Sequence, residues 1–183
     1  MHIPFIFQKT GKKEDYEHEP EKGLRVNVVG SMHEYSEAKG AWISGLFNYL
    51  NSGDFKGVLA SGLANLVEEV NGLAIAGICS LSGELNGVSV SGLCNVYGKL
   101  NGVSYGTFGN FCGEVGKYGV QIGAFNYIRF FHEEDWNDSF VLQIGLWNRA
   151  GNQTCPLINV RGWKNLFGGK KEETLEDKAE KKD

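Results

Sequence analysis

Between Leu24 and Trp163 apolar residues alternate with small or polar ones, and the alternation restarts at a nearly fixed interval. The stretches "GLAIAG" (72–77), "GVSVSG" (87–92) and "GVSYGT" (102–107) show it plainly, each beginning 15 residues after the last. Units begin at Gly40, Gly57, Gly72, Gly87, Gly102 and Gly119, and a closing copy runs from Val141 to Asn148. Leu24–Lys39 reads as a degenerate leading copy. The second position of the unit is Ala41, Val58, Leu73, Val88, Val103 or Val120, and the fourth is Ile43, Ala60, Ile75, Val90, Tyr105 or Ile122. Period-2 alternation rich in β-branched residues predicts strands, and no window has helical spacing. A polar residue then recurs at Asn48, Asn65, Ser80, Asn95, Asn110, Asn126 and Asn148.

A short fixed period is the mark of stacked repeats that bury apolar surface on their neighbours. Two geometries fit. In a β-solenoid each unit is one coil, and equivalent residues stack about 4.8 Å apart. Fifteen residues give a perimeter of up to ~50 Å, enough for flat sides and tight corners. Glycines would mark those corners, and the Asn column would form a ladder of side-chain amides. In an antiparallel meander or small barrel, Asn71-Gly72, Asn86-Gly87 and Asn101-Gly102 would instead be hairpin turns. A meander pairs unlike positions and gives less reason for columns of identical residues. The expectation is therefore an all-β solenoid of about six to seven coils of ~15 residues, with the meander or barrel as the alternative. Cys79 and Cys94, at the same place in successive units, separate the two: about 4.8 Å between Cα atoms in a solenoid and about 9.6 Å in a meander.

Composition adds boundaries and exclusions. At 183 residues the chain suits one repeat domain, 24–163, between a charged N-terminal arm, 1–23, and a charged tail, 164–183, expected to be disordered. Glycine, at 26 residues, has about twice its usual share, and the net charge is only −4. Lys and Arg concentrate toward the two ends, so a nucleic-acid surface is not expected. No signal-peptide pattern or transmembrane helix is read, which makes a cytoplasmic location the default. Four cysteines without a framework spacing suggest a reducing compartment.

The segments "GVQIGAFNYI" (119–128) and "VLQIGLWNRAGNQTCPLINV" (141–160), with the general unit G-V-x-V-x-G-L-x-N, resemble a bacterial family of surface-repeat proteins. That family is built on G-[LV]-Q-[LIV]-[AG]-G-L-x-N units, and its members often close as Leu142–Asn148 and Pro156–Asn159 do here. The resemblance implies a location at the cell envelope or surface and no characterised activity.

Candidate chemistry is sparse. His132, Glu133, Glu134 and Asp135 lie in an insertion, "RFFHEEDWNDS" (129–139), and offer acid–base groups for a carbohydrate-active enzyme. Consecutive residues on a loop do not face one another, so a solvated surface loop is the preferred reading. Glu68, Glu69, Glu84, Lys99 and Glu114 fall near one corner of successive units. The glycine-rich "GEVGKYG" (113–119) lacks the phosphate-loop pattern. No metal site, cofactor or catalytic residue is assigned. The expected function is that of a non-catalytic structural or protein-binding repeat protein with an unidentified protein partner and self-association through the solenoid ends. The alternatives are a carbohydrate-active enzyme and an envelope-associated β-barrel.

Overall fold

Alternating β-branched residues hold the chain extended, and glycines let it turn, so each unit closes one turn of a parallel coil and lies on the turn before it. A computed structural model describes residues 9–10, 21–33, 37–129 and 139–162. Its strands are β1 (Lys9–Thr10), β2 (Glu21–Asn27), β3 (Gly30–His33), β4 (Glu37–Ser44), β5 (Phe47–Ser61) and β6 (Ala64–Ala76). They continue as β7 (Cys79–Ser91), β8 (Cys94–Gly106), β9 (Gly109–Ile122), β10 (Phe125–Ile128), β11 (Phe140–Ala150) and β12 (Gln153–Arg161). Together they form a β-solenoid of about seven turns.

Every coil-to-coil pairing is parallel and places like on like. Asn65 pairs with Ser80 and Ser80 with Asn95, while Gly57, Gly72, Gly87 and Gly102 form another continuous column. Parallel pairing excludes the meander and the closed barrel, because hairpin-linked strands must run in opposite directions. Asn71, Asn86 and Asn101 accordingly sit at solenoid corners and not in hairpin turns. The degenerate leading copy is a true coil, since Gly23 pairs with Gly40 and Ser31 with Asn48. Its strand starts at Glu21, inside the segment assigned to the arm. The rest of that arm, apart from β1, and the tail lie outside the described residues.

Two glycine columns make the corners, both under close approach of the preceding coil and one also through its backbone conformation. Gly72, Gly87 and Gly102 adopt φ of 143°, 142° and 143°, which a side chain would strain. Gly62, Gly77 and Gly92 are required by close approach alone: a Cβ on Gly77 would run into the carbonyl oxygen of Gly62.

Inside, three columns fill a narrow core. Phe55, Val70, Leu85, Leu100 and Val115 stack along one, and Leu50, Val67, Tyr97, Cys112 and Ile128 along a second. The third changes character along the stack. It runs Trp42, Leu59, Ala74, Ser89, Ser104, Gln121, Gln143, all buried. Trp42 packs edge-on against Phe55 with ring centroids 5.2 Å apart. Each large side chain buried here contributes about 1.5–3 kcal/mol.

The stack ends differently from how it repeats. β12 folds back antiparallel onto β11, with a bulge between Gly145 and Asn148. Pro156 has no N–H to give, and Leu157 sits at φ 67°, so this last strand is a poor template for a further one.

Candidate functional site

The predicted Asn column is an interior ladder. Asn48, Asn65, Asn95, Asn110, Asn126 and Asn148 are all buried, brought together by successive coils at the same register. Each amide works in two directions. Asn95 Nδ2 donates to Asn110 Oδ1 at 2.9 Å and to the Tyr105 carbonyl at 2.8 Å. Asn110 Nδ2 likewise donates to Asn126 Oδ1 and to the Ile122 carbonyl, and Asn126 Nδ2 to Asn148 Oδ1. The carbonyls belong to the glycine corners, where the strand ladder is interrupted and backbone acceptors would otherwise be orphaned. Ser104 Oγ adds a bond to Asn110 Oδ1 at 2.6 Å, and Ser31 and Ser44 do the same for Asn48. Ser80 breaks the run of amides, leaving Asn65 Nδ2 donating to the Ile75 carbonyl.

A second polar ladder closes the C-terminal end. Asn159 Nδ2 donates to Gln143 Oε1 at 2.9 Å, and Gln143 Nε2 to Gln121 Oε1 at 2.8 Å. Neutral groups thus occupy the interior. Burial pushes the Tyr97 phenol well above its ordinary value and the Cys112 thiol up to about 12. These columns hold the coils in register; they offer nothing to solvent.

What meets solvent is the set of apolar positions that carried the alternation. The second and fourth residues of each unit point outward, and the residue between them points in. Ile43, Ile75 and Tyr105 are 45%, 41% and 44% exposed, whereas Trp42, Ala74 and Ser104 are buried. The outward columns run Leu24, Ala41, Val58, Leu73, Val88, Val103, Val120, Leu142 and Val26, Ile43, Ala60, Ile75, Val90, Tyr105, Ile122, Ile144. Not one of these side chains is charged. Near the C-terminal cap the face dips into an open apolar depression of about 510 Å³ between Ile122, Ile144 and Ile158. Around the glycine corner Leu63, Ile78, Leu93 and Phe108 are exposed too, and a second side shows Leu66, Leu81 and Val96.

Acidic side chains gather at the opposite corner, while Arg25, Arg129, Arg149 and Arg161 lie elsewhere on the coils. Asp54, Glu69, Glu84, Lys99 and Glu114 share one column; Glu68 precedes it by one residue. Lys99 Nζ lies 3.7 Å from Glu114. Hydrogen bonds from Lys56 and then Lys39 bring the Glu37 carboxyl down to about 2. Burial and the neighbouring Glu69 raise the Asp54 carboxyl. An outer ladder of Asn86 and Asn101, 3.0 Å apart, covers this corner.

The remaining candidates divide. Cys79 and Cys94 are neighbours on successive coils, half-buried. His132, Glu133, Glu134 and Asp135 lie outside the described residues. No group of three His, Cys, Asp or Glu able to hold a metal occurs among the described residues. None of their helices could cross a membrane, since they contain no helix. The uncharged face had gone unrecognised in the sequence because alternation reveals two sides of a strand without saying which is interior. The polar drift of the intervening column toward Gln121 and Gln143 points the wrong way, because it looks like a solvent-facing side and is buried.

Fold and surface together define a parallel β-solenoid with acidic residues gathered at one corner and an uncharged apolar sheet on one side. No protein-family model, curated protein or solved structure matches the chain.

Proposed function

We propose that this chain is a non-catalytic binding scaffold whose working surface is the flat sheet made by the second and fourth positions of its repeat. The observation that carries the reading is the absence of any charged side chain from those two columns along the stack. Monomeric proteins rarely expose contiguous apolar patches larger than a few hundred Å², and larger ones mark interaction sites. The interior supports the same reading: its amide ladders are spent on rigidity, which lowers the ordering cost of binding. The similarity of Leu142–Asn148 and Pro156–Asn159 to the closing segment of bacterial surface-repeat proteins supports placement in that family and a role at the cell envelope.

The test is affinity capture with the immobilised full chain. Wild type is compared with an Ile75→Lys/Val90→Lys variant and with a Leu66→Lys/Leu81→Lys variant carrying the same charge on another side. Capture that is lost only in the first variant supports the scaffold. Capture indifferent to both, or failure to retain any polypeptide including the chain itself, removes it.

A further inference from the structure

The uncharged sheet is wide, flat and continuous, and its own dimensions bear on what covers it. From Gly40 to Gly45 the outward side spans ~17 Å, and the coils from β2 to the β12 cap extend it to roughly 38 Å. That is about 650 Å² on one molecule, or about 1,300 Å² for a pair, inside the range of stable protein interfaces. Burying it against a like surface desolvates no ion, because Ile43, Ile75, Val90 and Ile144 have only Ala, Val, Leu, Ile and Tyr beside them. We infer that the occupant is a second copy of this chain, packed sheet against sheet about a two-fold axis.

This inference rests on the scaffold reading and names the partner of the same surface. Two features favour a like sheet over other occupants. Two twisted sheets pack about 10 Å apart with side chains interdigitating, and the alternation of Ala60 with Ile43 and Ile75 supplies the small and large positions that interdigitation uses. A two-fold pair also needs the same patch on both partners, which a repeated column provides at every coil. Association through the ends is disfavoured at the β12 cap, where Pro156 and Leu157 interrupt the strand.

The experiment is light scattering after size exclusion on the full chain at micromolar concentration. The wild type should run at twice the chain mass. Ile75→Lys/Val90→Lys should be monomeric, its association weakened more than about 100-fold, with an unchanged circular dichroism spectrum because both side chains point outward. Leu66→Lys/Leu81→Lys should remain dimeric. A monomeric wild type, or a dimer indifferent to the Ile75→Lys/Val90→Lys change, overturns the pairing. So does a monomer that floats with neutral phosphatidylcholine vesicles, which would assign the sheet to lipid. A monomeric wild type that still captures another polypeptide through Ile75 and Val90 overturns the pairing alone and leaves the scaffold reading standing.

Discussion

The sulfur atoms of Cys79 and Cys94 face each other 2.7 Å apart across adjacent coils, both as free thiols. Directly paired residues on neighbouring strands fall within the Cα separation that a disulfide accepts. Treatment with glutathione disulfide should therefore join them: two thiols become one disulfide and two glutathione thiols are released. Burial first, and Cys79 second, push the Cys94 thiol up to about 11, so thiolate is scarce at neutral pH. Cross-linking should accelerate steadily from pH 7 to pH 10. The bond closes a loop of one coil and should add about 3 kcal/mol of stability. Peptide mapping and urea unfolding check both points, with Cys94→Ser as the blank.

Removing one rung of the interior ladder should cost far more than one hydrogen bond. Asn110 accepts from Asn95 and Ser104 and donates to Ile122 and Asn126, all in a buried setting. Asn110→Ala leaves several partners unsatisfied at about 1–3 kcal/mol each. A loss of roughly 3 kcal/mol or more is expected in urea unfolding.

The gap at Ser80 offers the opposite experiment. Its register neighbours are Asn65 and Asn95, and the corner before it carries Ala76 where Ser61 and Ser91 stand in the adjoining coils. Ser80→Asn should restore the amide run and stabilise by about 1 kcal/mol, whereas adding Ala76→Ser should bring no gain, because the equivalent Ser61 and Ser91 hydroxyls are buried without a hydrogen-bond partner. Thermal unfolding should show a rise of a few degrees.

Close approach at the corners predicts a steep contrast between two glycines. Gly77→Ala drives a methyl into the Gly62 carbonyl, where something must shift, and should abolish soluble folding or destabilise by more than about 3 kcal/mol. Gly23→Ala, in the first coil, meets nothing within 4 Å and carries only the strain of its φ of 125°. Its cost should stay near 1–2 kcal/mol. Expression and urea midpoints of the two variants decide the point.

Much of the coil was readable before any coordinates. The 15-residue interval, the stacking of Cys79 on Cys94 and the Asn positions from Asn48 to Asn148 follow from repetition alone. Orientation did not, for a physical reason. The corner at Gly62-Leu63 departs from strand geometry, so the inward facing of Asn65 says nothing reliable about Leu59 or Val58 across it. The leading coil was faint because β2 keeps only Gly23, Leu24 and Val26 of the pattern, and it starts at Glu21 among charged residues. The reversal into β12 was hidden as well, because an apolar stretch such as "PLINV" (156–160) carries no strand direction. Residues 130–138, which carry His132 and Glu134, fall beyond the described residues.

Gly72 and Gly87 occupy equivalent places on successive turns. Excising residues 72–86, one whole unit of 15, would splice Asn71 to Gly87 with every column still aligned. A gene with this grammar can lengthen or shorten its product by unequal recombination without passing through a misfolded intermediate. The reach of the apolar sheet is then a heritable quantity that changes in whole steps, one rung per event.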